Sequence, residues 1–402
     1  MKKNKIGLVL SGGGARGAYE AGVLHFIRTQ LSPKLRSSKL DIICGCSVGA
    51  INTSFLASTM HEPLEQTKHL ISLWQNLTSE QVYQRTPSSL ISMLGHSVSS
   101  LMGNLTQFNF SESINRNNHF QALLDTKPLE KFLKKNVRWN KIKENVLKKK
   151  VESVALIATQ HRSGRSTIFL QTGSRYFKSD RFDLCPTQLA PVHAMASAAI
   201  PLVFPSIKIN EQYFVDGGVR MNTPLSPAIH LGAEKLFIIG LHAENNWPKE
   251  IDTPNMPPTL GEHLGKLFHS FLLDNLKNDI IHLQQVNRVI EASESLFGKD
   301  FCPKMNKKLE YQSHLKTIDS LLIQPSVPIS QIFDDWYFDK KRKSHLNLLE
   351  KFLMRALDIQ PAVSGDLLSY LAFEADYLTR LVDLGFNDAK KKQAEIEEFF
   401  SK

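Results

Sequence analysis

No uninterrupted apolar run in this chain of 402 residues approaches the length of about eighteen that a membrane-spanning helix needs. Cysteine is also scarce. The four present, Cys44, Cys46, Cys185 and Cys302, show no metal-ligand spacing and no disulfide framework, so they are expected as small buried hydrophobes in a reducing compartment. No metal site and no cofactor are therefore expected. The sequence also lacks an RNP-type aromatic motif, zinc-finger spacing and a basic heptad region, which argues against nucleic acid as a partner. Acidic residues are outnumbered, 39 Asp and Glu against 49 Lys and Arg, for a net charge of +10. That excess suits an anionic partner, and with nucleic acid set aside a lipid headgroup layer is the candidate. The lysines at 2, 3 and 5 precede an apolar stretch, Ile6 to Leu10, of only five residues that runs into glycines and Arg16. This is too short for the core of a signal peptide and reads as a first buried strand. No cleavable leader is expected, and the protein is placed in the cytoplasm or at the periphery of a membrane.

What the chain does have is two glycine-rich turns, Gly12-Gly13-Gly14-Ala15-Arg16-Gly17 and Gly45-Cys46-Ser47-Val48-Gly49, each directly after a short apolar run. Ile6 to Leu10 reads as a strand and Gly17 to Leu31 as a helix, with Ala21, Leu24, Ile27 and Leu31 on one face. Leu40 to Cys44 is a second strand, and Ser47 opens a helix carrying Val48, Ile51, Phe55 and Leu56. Strand, turn and helix repeated in this way predict a parallel sheet with helices on both faces. Further strands are expected at Val151 to Ala158, Ser166 to Gln171, Tyr213 to Val215 and Lys235 to Leu241.

Between these elements the stretch from Thr86 to Asn118 is rich in Ser and Asn with scattered apolar residues. It reads either as a lipid-facing lid or as a surface insertion with a cluster of its own. Lys127 to Lys150 holds ten basic residues, a solvated helix face or a membrane-facing one. Four prolines between Asn245 and Pro258 mark a boundary. The expected organisation is a catalytic domain over residues 1–245, a linker over 246–262 and a helical extension over 263–402.

Gly-x-Ser-x-Gly between a strand and a helix is the signature of a nucleophile elbow, a sharp turn that pushes the serine hydroxyl out of the backbone envelope. The first turn also fits Gly-x-Gly-x-x-Gly, as in dinucleotide-binding folds. Those folds need an acidic residue at the end of the second strand, and here that strand ends in Gly45-Cys46-Ser47. What remains is a loop of consecutive N–H groups at a helix start, fit for an oxyanion or a phosphate. Arg16 within it either anchors a phosphodiester headgroup or ties the loop down. Asp216, between Val215 and Gly217-Gly218, reads by itself as a strand-ending turn.

Together these stretches resemble the patatin-like phospholipases, acyl hydrolases that use a serine–aspartate dyad. The likeness rests on Leu10-Ser11-Gly12-Gly13-Gly14-Ala15-Arg16-Gly17, on Gly45-Cys46-Ser47-Val48-Gly49-Ala50 and on Ala196-Ser197-Ala198-Ala199-Ile200-Pro201 with Phe204-Pro205. Val215-Asp216-Gly217-Gly218 followed by Asn222 and Pro224 completes it. Cys46 and Val48 depart from the small residues usual around the family's serine. The resemblance implies a three-layer α/β/α domain with a mostly parallel central sheet, followed by the helical extension. It also implies Ser47 as nucleophile, Asp216 as base, and Gly12, Gly13 and Gly14 as the oxyanion hole. The substrate implied is a phospholipid or lysophospholipid, met at an anionic membrane surface. Two competitors stand beside it: a Ser-His-Asp esterase using His230 or His242, and a silent lipid-binding or scaffold protein.

Overall fold

In the computed structural model, which describes residues 4–85, 122–176, 178–243, 276–309, 315–338 and 368–401, the first apolar run is strand β1 (Ile6–Leu10). It is followed by α1 (Ala18–Gln30), β2 (Ile42–Cys46), α2 (Val48–Ser58) and α3 (Pro63–Gln75). Helices α4 (Lys127–Asn136) and α5 (Trp139–Leu147) lead to β3 (Ser153–Gln160), β4 (Ser166–Thr172) and β5 (Asp183–Pro186). Then come α6 (Pro191–Ser197), β6 (Ile207–Ile209), β7 (Gln212–Asp216), α7 (Leu225–His230) and β8 (Lys235–Ile239). The remaining elements are α8 (Leu276–Phe297), α9 (Phe301–Leu309), β9 (Asp319–Ile323), α10 (Ile329–Tyr337), α11 (Ala375–Lys391) and α12 (Gln393–Ser401).

These nine strands form one sheet with the order β9-β8-β1-β2-β3-β4-β5, in which the first five run parallel, while a short antiparallel pair, Gln84–Arg85 with Leu124–Asp125, stands apart. β4 turns antiparallel to β3, and the β6–β7 hairpin joins the far end of β3. Strands β1, β2 and β8 are buried at every residue, as continuous apolar runs covered on both faces must be. Their side chains alternate between two cores. Leu8, Leu10, Ile43, Val154 and Leu156 face the core that holds α1 to α5, α11 and α12. Val9, Ile42, Cys44, Ala155 and Ile157 face the core that holds α7 and the start of α8. The architecture is the three-layer α/β/α arrangement with a mostly parallel sheet.

The basic stretch folds as α4 and α5, which bury Leu129, Leu133, Ile142 and Val146 and turn their lysines outward. The Ser- and Asn-rich stretch at 86–118, the Pro-rich linker at 246–262 and the first turns of the helical region beyond it lie outside the described residues. The C-terminal helices are present, and a strand stands among them: β9 pairs parallel with β8 from Lys235↔Asp319 to Ile239↔Ile323. Its apolar core, Leu321 to Ile323, is too short to register as a pattern of its own. Helix α11 lies along α1 at a contact that admits glycine alone. A Cβ on Gly22 would stand 2.0 Å from the Val382 carbonyl oxygen, and one on Gly385 2.1 Å from that of Tyr19. Among the described residues no helix is long and apolar enough to cross a membrane.

Candidate active site

Strand β3 sets the geometry. Its Ile157 pairs with Cys46, the last residue of β2, and its next residue, Ala158, pairs with Asp216, the last residue of β7. Strand β7 thus takes up the place beside β3 just where β2 stops. The residue after Cys46 and the carboxylate of Asp216 are brought together by one step of register. The Ser47 hydroxyl donates to Asp216 Oδ2 at 2.6 Å, both side chains being buried.

The turn that carries Ser47 is tight. The serine has φ 51° and ψ −122°, a left-handed conformation that costs a side-chain-bearing residue about 1–3 kcal/mol. Both flanking glycines are required by contact. A Cβ on Gly45 would lie 2.2 Å from the Gly49 carbonyl oxygen, and one on Gly49 2.5 Å from that of Leu10. Helix α2 begins at the next residue, so the positive end of its dipole lies beside Ser47. Ser197, at the end of α6, accepts the Ser47 N–H at 2.9 Å and donates to the Ile157 carbonyl. The Asp216 N–H bonds the Ala199 carbonyl at 2.8 Å, so a single loop holds nucleophile and carboxylate.

Burial pushes the Asp216 carboxyl up to about 6, while the hydrogen bonds from Ser47 and from the Gly218 N–H (2.7 Å, to Oδ1) pull it part of the way back. Its two oxygens are thus taken by a hydroxyl and an amide. Of the expected oxyanion donors, Gly12 donates its N–H to the Asn222 carbonyl at 3.1 Å, and Asn222 returns a bond to the Gly12 carbonyl. Gly13 and Gly14 have no such hydrogen bond from their N–H groups among the described residues, and Gly14 borders the cavity that opens at Ser47.

That cavity is open to solvent, and about 710 Å³ of non-atom space lies within its bounds with the open mouth counted. Three helices wall it with one face each: Ser47, Val48, Ile51 and Phe55 along α2, Leu70, Leu73 and Trp74 on α3, and Leu129, Phe132 and Leu133 on α4. Phe204 and Phe373 also line it. The lining is apolar and enters directly at the hydroxyl, so the arrangement can seat a hydrocarbon chain whose carbonyl lies at Ser47.

The model of the family described as patatin-like phospholipase matches residues 8–229, more than half of the chain. The chain belongs to the patatin-like phospholipase family. Lipid hydrolysis is the chemistry this membership supports. A patatin-like phospholipase domain-containing protein of Caenorhabditis elegans is 38% identical over 80 residues, covering 18% of this chain and 6% of the nematode protein. Among solved structures, VipD from Legionella pneumophila aligns at 14% identity over 94% of this chain and 67% of its own, with a TM-score of 0.30. Human GIVD cytosolic phospholipase A2 aligns at 11% identity over 99% of this chain and 59% of its own, with a TM-score of 0.44. The chain thus spans a small fraction of the nematode relative and somewhat over half of the human enzyme.

Other expected residues of this patatin-like chain lie elsewhere. Arg16 is 1% exposed and does not line the cavity. Its Nε and Nη2 donate to Ser369 Oγ at 2.9 and 2.6 Å, and its guanidinium lies 3.9 Å from the centre of the Tyr370 ring. Of its two readings, headgroup anchor or loop tie, the contacts are those of a tie. His230 packs edge-on against Phe182 in the opposite helical layer, and His242 Nε2 lies 3.5 Å from the Tyr370 hydroxyl. Among the described residues no cluster of three or more His, Cys, Asp or Glu is placed to ligate a metal ion.

Ser197 and Asn222 fall within stretches that carry the family likeness, but no residue pattern announces their bonds. Glu20 had no signal at all. It is fully buried on α1 with Oε2 accepting from Asn52 Nδ2 at 2.8 Å, and burial raises its carboxyl well above the usual carboxylate range. Asn52 also donates to the Gly17 carbonyl and accepts from Trp74 Nε1, linking the elbow helix to the glycine loop and the cavity wall.

Proposed function

We propose that this patatin-like protein hydrolyses carboxylic ester bonds of phospholipids or lysophospholipids through a Ser47–Asp216 dyad, releasing free fatty acid. The observation that carries the reading is the direct 2.6 Å hydrogen bond from the Ser47 hydroxyl to a buried carboxylate. Serine is a poor nucleophile until a base takes its proton, and a carboxylate raised to about 6 is a far better base than one in water.

The proposed sequence balances without a third residue. Ser47 Oγ attacks the ester carbonyl as its proton passes to Asp216. The tetrahedral oxyanion is held by the N–H groups of Gly13 and Gly14, each worth about 3–4 kcal/mol when well placed. Asp216 then returns the proton to the departing alcohol oxygen, leaving an acyl-enzyme. Water attacks that ester with Asp216 again as base, and Asp216 returns the proton to Ser47 Oγ as the fatty acid leaves. The apolar cavity along α2 receives the acyl chain, and its burial supplies the binding energy that orients the carbonyl.

Mass spectrometry of the products from a defined mixed-chain phospholipid tests the reading, with Ser47→Ala and Asp216→Asn as controls. Fatty acid release that either substitution abolishes is expected. Turnover that survives Asp216→Asn but is lost in His242→Ala or His230→Ala would point to a histidine base instead. A fluorophosphonate probe that fails to label Ser47 with or without membranes would leave a lipid-binding protein.

A further inference from the structure

The glycine loop is covered by a segment that lies far beyond residue 229, where the family match ends. Residues 368–373 are buried throughout, and three of them meet the loop or the cavity directly. The Tyr370 carbonyl oxygen stands 2.2 Å from where a Cβ on Gly14 would be, so glycine at that position, with φ 56°, admits the segment as well as the turn. Both guanidinium donors described above converge on the Ser369 hydroxyl, and the Tyr370 ring lies over the same group. Phe373 lines the cavity beside Ser47. The segment is itself fixed from below, where the Tyr83 hydroxyl donates to the Leu371 carbonyl at 2.7 Å.

We propose that residues 368–373 are part of the catalytic centre, with Arg16 the positioning residue through which Ser369 and Tyr370 hold the glycine loop at Ser47. Arg16 sits in the 3₁₀ turn Gly14–Gly17, which begins at the second of the two glycines, Gly13 and Gly14, whose N–H groups are proposed to hold the oxyanion. Its N–H also bonds the Gly13 carbonyl at 3.1 Å, so a shift of the guanidinium moves the Gly13–Gly14 peptide. A planar fork with two donors on one hydroxyl fixes the turn in rotation as well as translation, which a lysine cannot do. The role differs from recognition of a phosphodiester, because the cation faces protein and not the cavity.

The test has two arms, and only the kinetic arm rests on the hydrolase reading. In hydrogen exchange on the full chain, Ser369→Ala and Tyr370→Leu should each speed exchange at residues 12–17 and leave β1 and β2 protected, while Ser369→Thr restores protection. With a short-chain nitrophenyl ester, which carries no phosphate, the same two variants and Arg16→Lys should lower kcat about tenfold to hundredfold with KM within about twofold. Unchanged exchange at 12–17 in both segment variants overturns the proposal. So does faster exchange spread over the whole sheet, which would mark the segment as general packing. A loss seen with phospholipid but not with the phosphate-free ester overturns it in favour of headgroup binding. If the local exchange effect appears but the wild-type protein turns over no ester, the clamp stands and the hydrolase reading falls.

Discussion

Asp216 combines two opposed demands in one carboxyl. Folding places it in a dry site where its protonated form is favoured, with a value pushed up to about 6. A raised acid contributes stability below its unfolded value, near 3.8, and that contribution is lost as pH rises through about 6. At pH 7 the ionised group costs about 3 kcal/mol relative to an unshifted one. Asp216→Asn, which keeps an acceptor for the Gly218 N–H, should therefore raise the thermal midpoint at pH 7 while abolishing turnover, and the gain should shrink toward pH 4. A lowered midpoint at pH 7 in calorimetry would contradict the charge argument. With Asp216 as the proposed base, activity needs the ionised form, so kcat/KM should fall as pH drops below about 6. Ser197→Ala removes the acceptor of the Ser47 N–H and leaves that amide buried. We expect a loss of about 1–3 kcal/mol in denaturant unfolding, with kcat reduced more than KM is raised.

At the scale of elements, the close crossing of α1 and α11 depends on two glycines 363 positions apart (385 − 22). Gly385→Ala places a methyl against the Tyr19 carbonyl and should cost about 1–3 kcal/mol or more, read as a lower urea midpoint. An unchanged midpoint would mean that the helices can separate without penalty. Helix α2 serves as the long wall of the cavity. From Ser47 to Phe55 it rises about 12 Å at 1.5 Å per residue. Phe55→Ala should extend the space at that end and shift preference toward longer acyl chains, each added methylene being worth about 0.8 kcal/mol, or about fourfold in kcat/KM. A chain-length profile identical to that of the wild-type protein would place the end of the chain elsewhere. The elbow and the glycine loop were legible as short local patterns beside strands, whereas Asp216 read by itself as a turn and gained its expected role only from the family resemblance. Strand β9 and the glycine contact of α11 were not, since a three-residue apolar run and a lone glycine in a helix take on meaning only from their distant partners. Arg16 lies between these cases. The loop that carries it is readable, but what covers it is not.

For the molecule as a whole the charge is +10, and among the described residues α4 and α5 turn lysines outward while Leu129 and Leu133 point in. If that excess serves contact with lipid, hydrolysis should be faster on vesicles containing acidic lipid and should fall as salt shortens the reach of the field, with a Debye length of about 10 Å at 0.1 M. Equal rates on neutral vesicles with no salt effect would remove the electrostatic contribution and leave the dyad untouched. The parallel sheet has a further consequence. Strand β1 is laid down first, yet the helix that covers α1 and the segment over Gly14 both come from residues 368–391. A ribosome that has finished residue 229 has already made the serine, the aspartate and every glycine around them, but nothing that lies on top. At about 5–20 residues per second the stretch from 229 to 373 takes on the order of ten seconds. If residues 368–373 complete the site as proposed, a nascent chain carries its serine and aspartate unfinished for that interval.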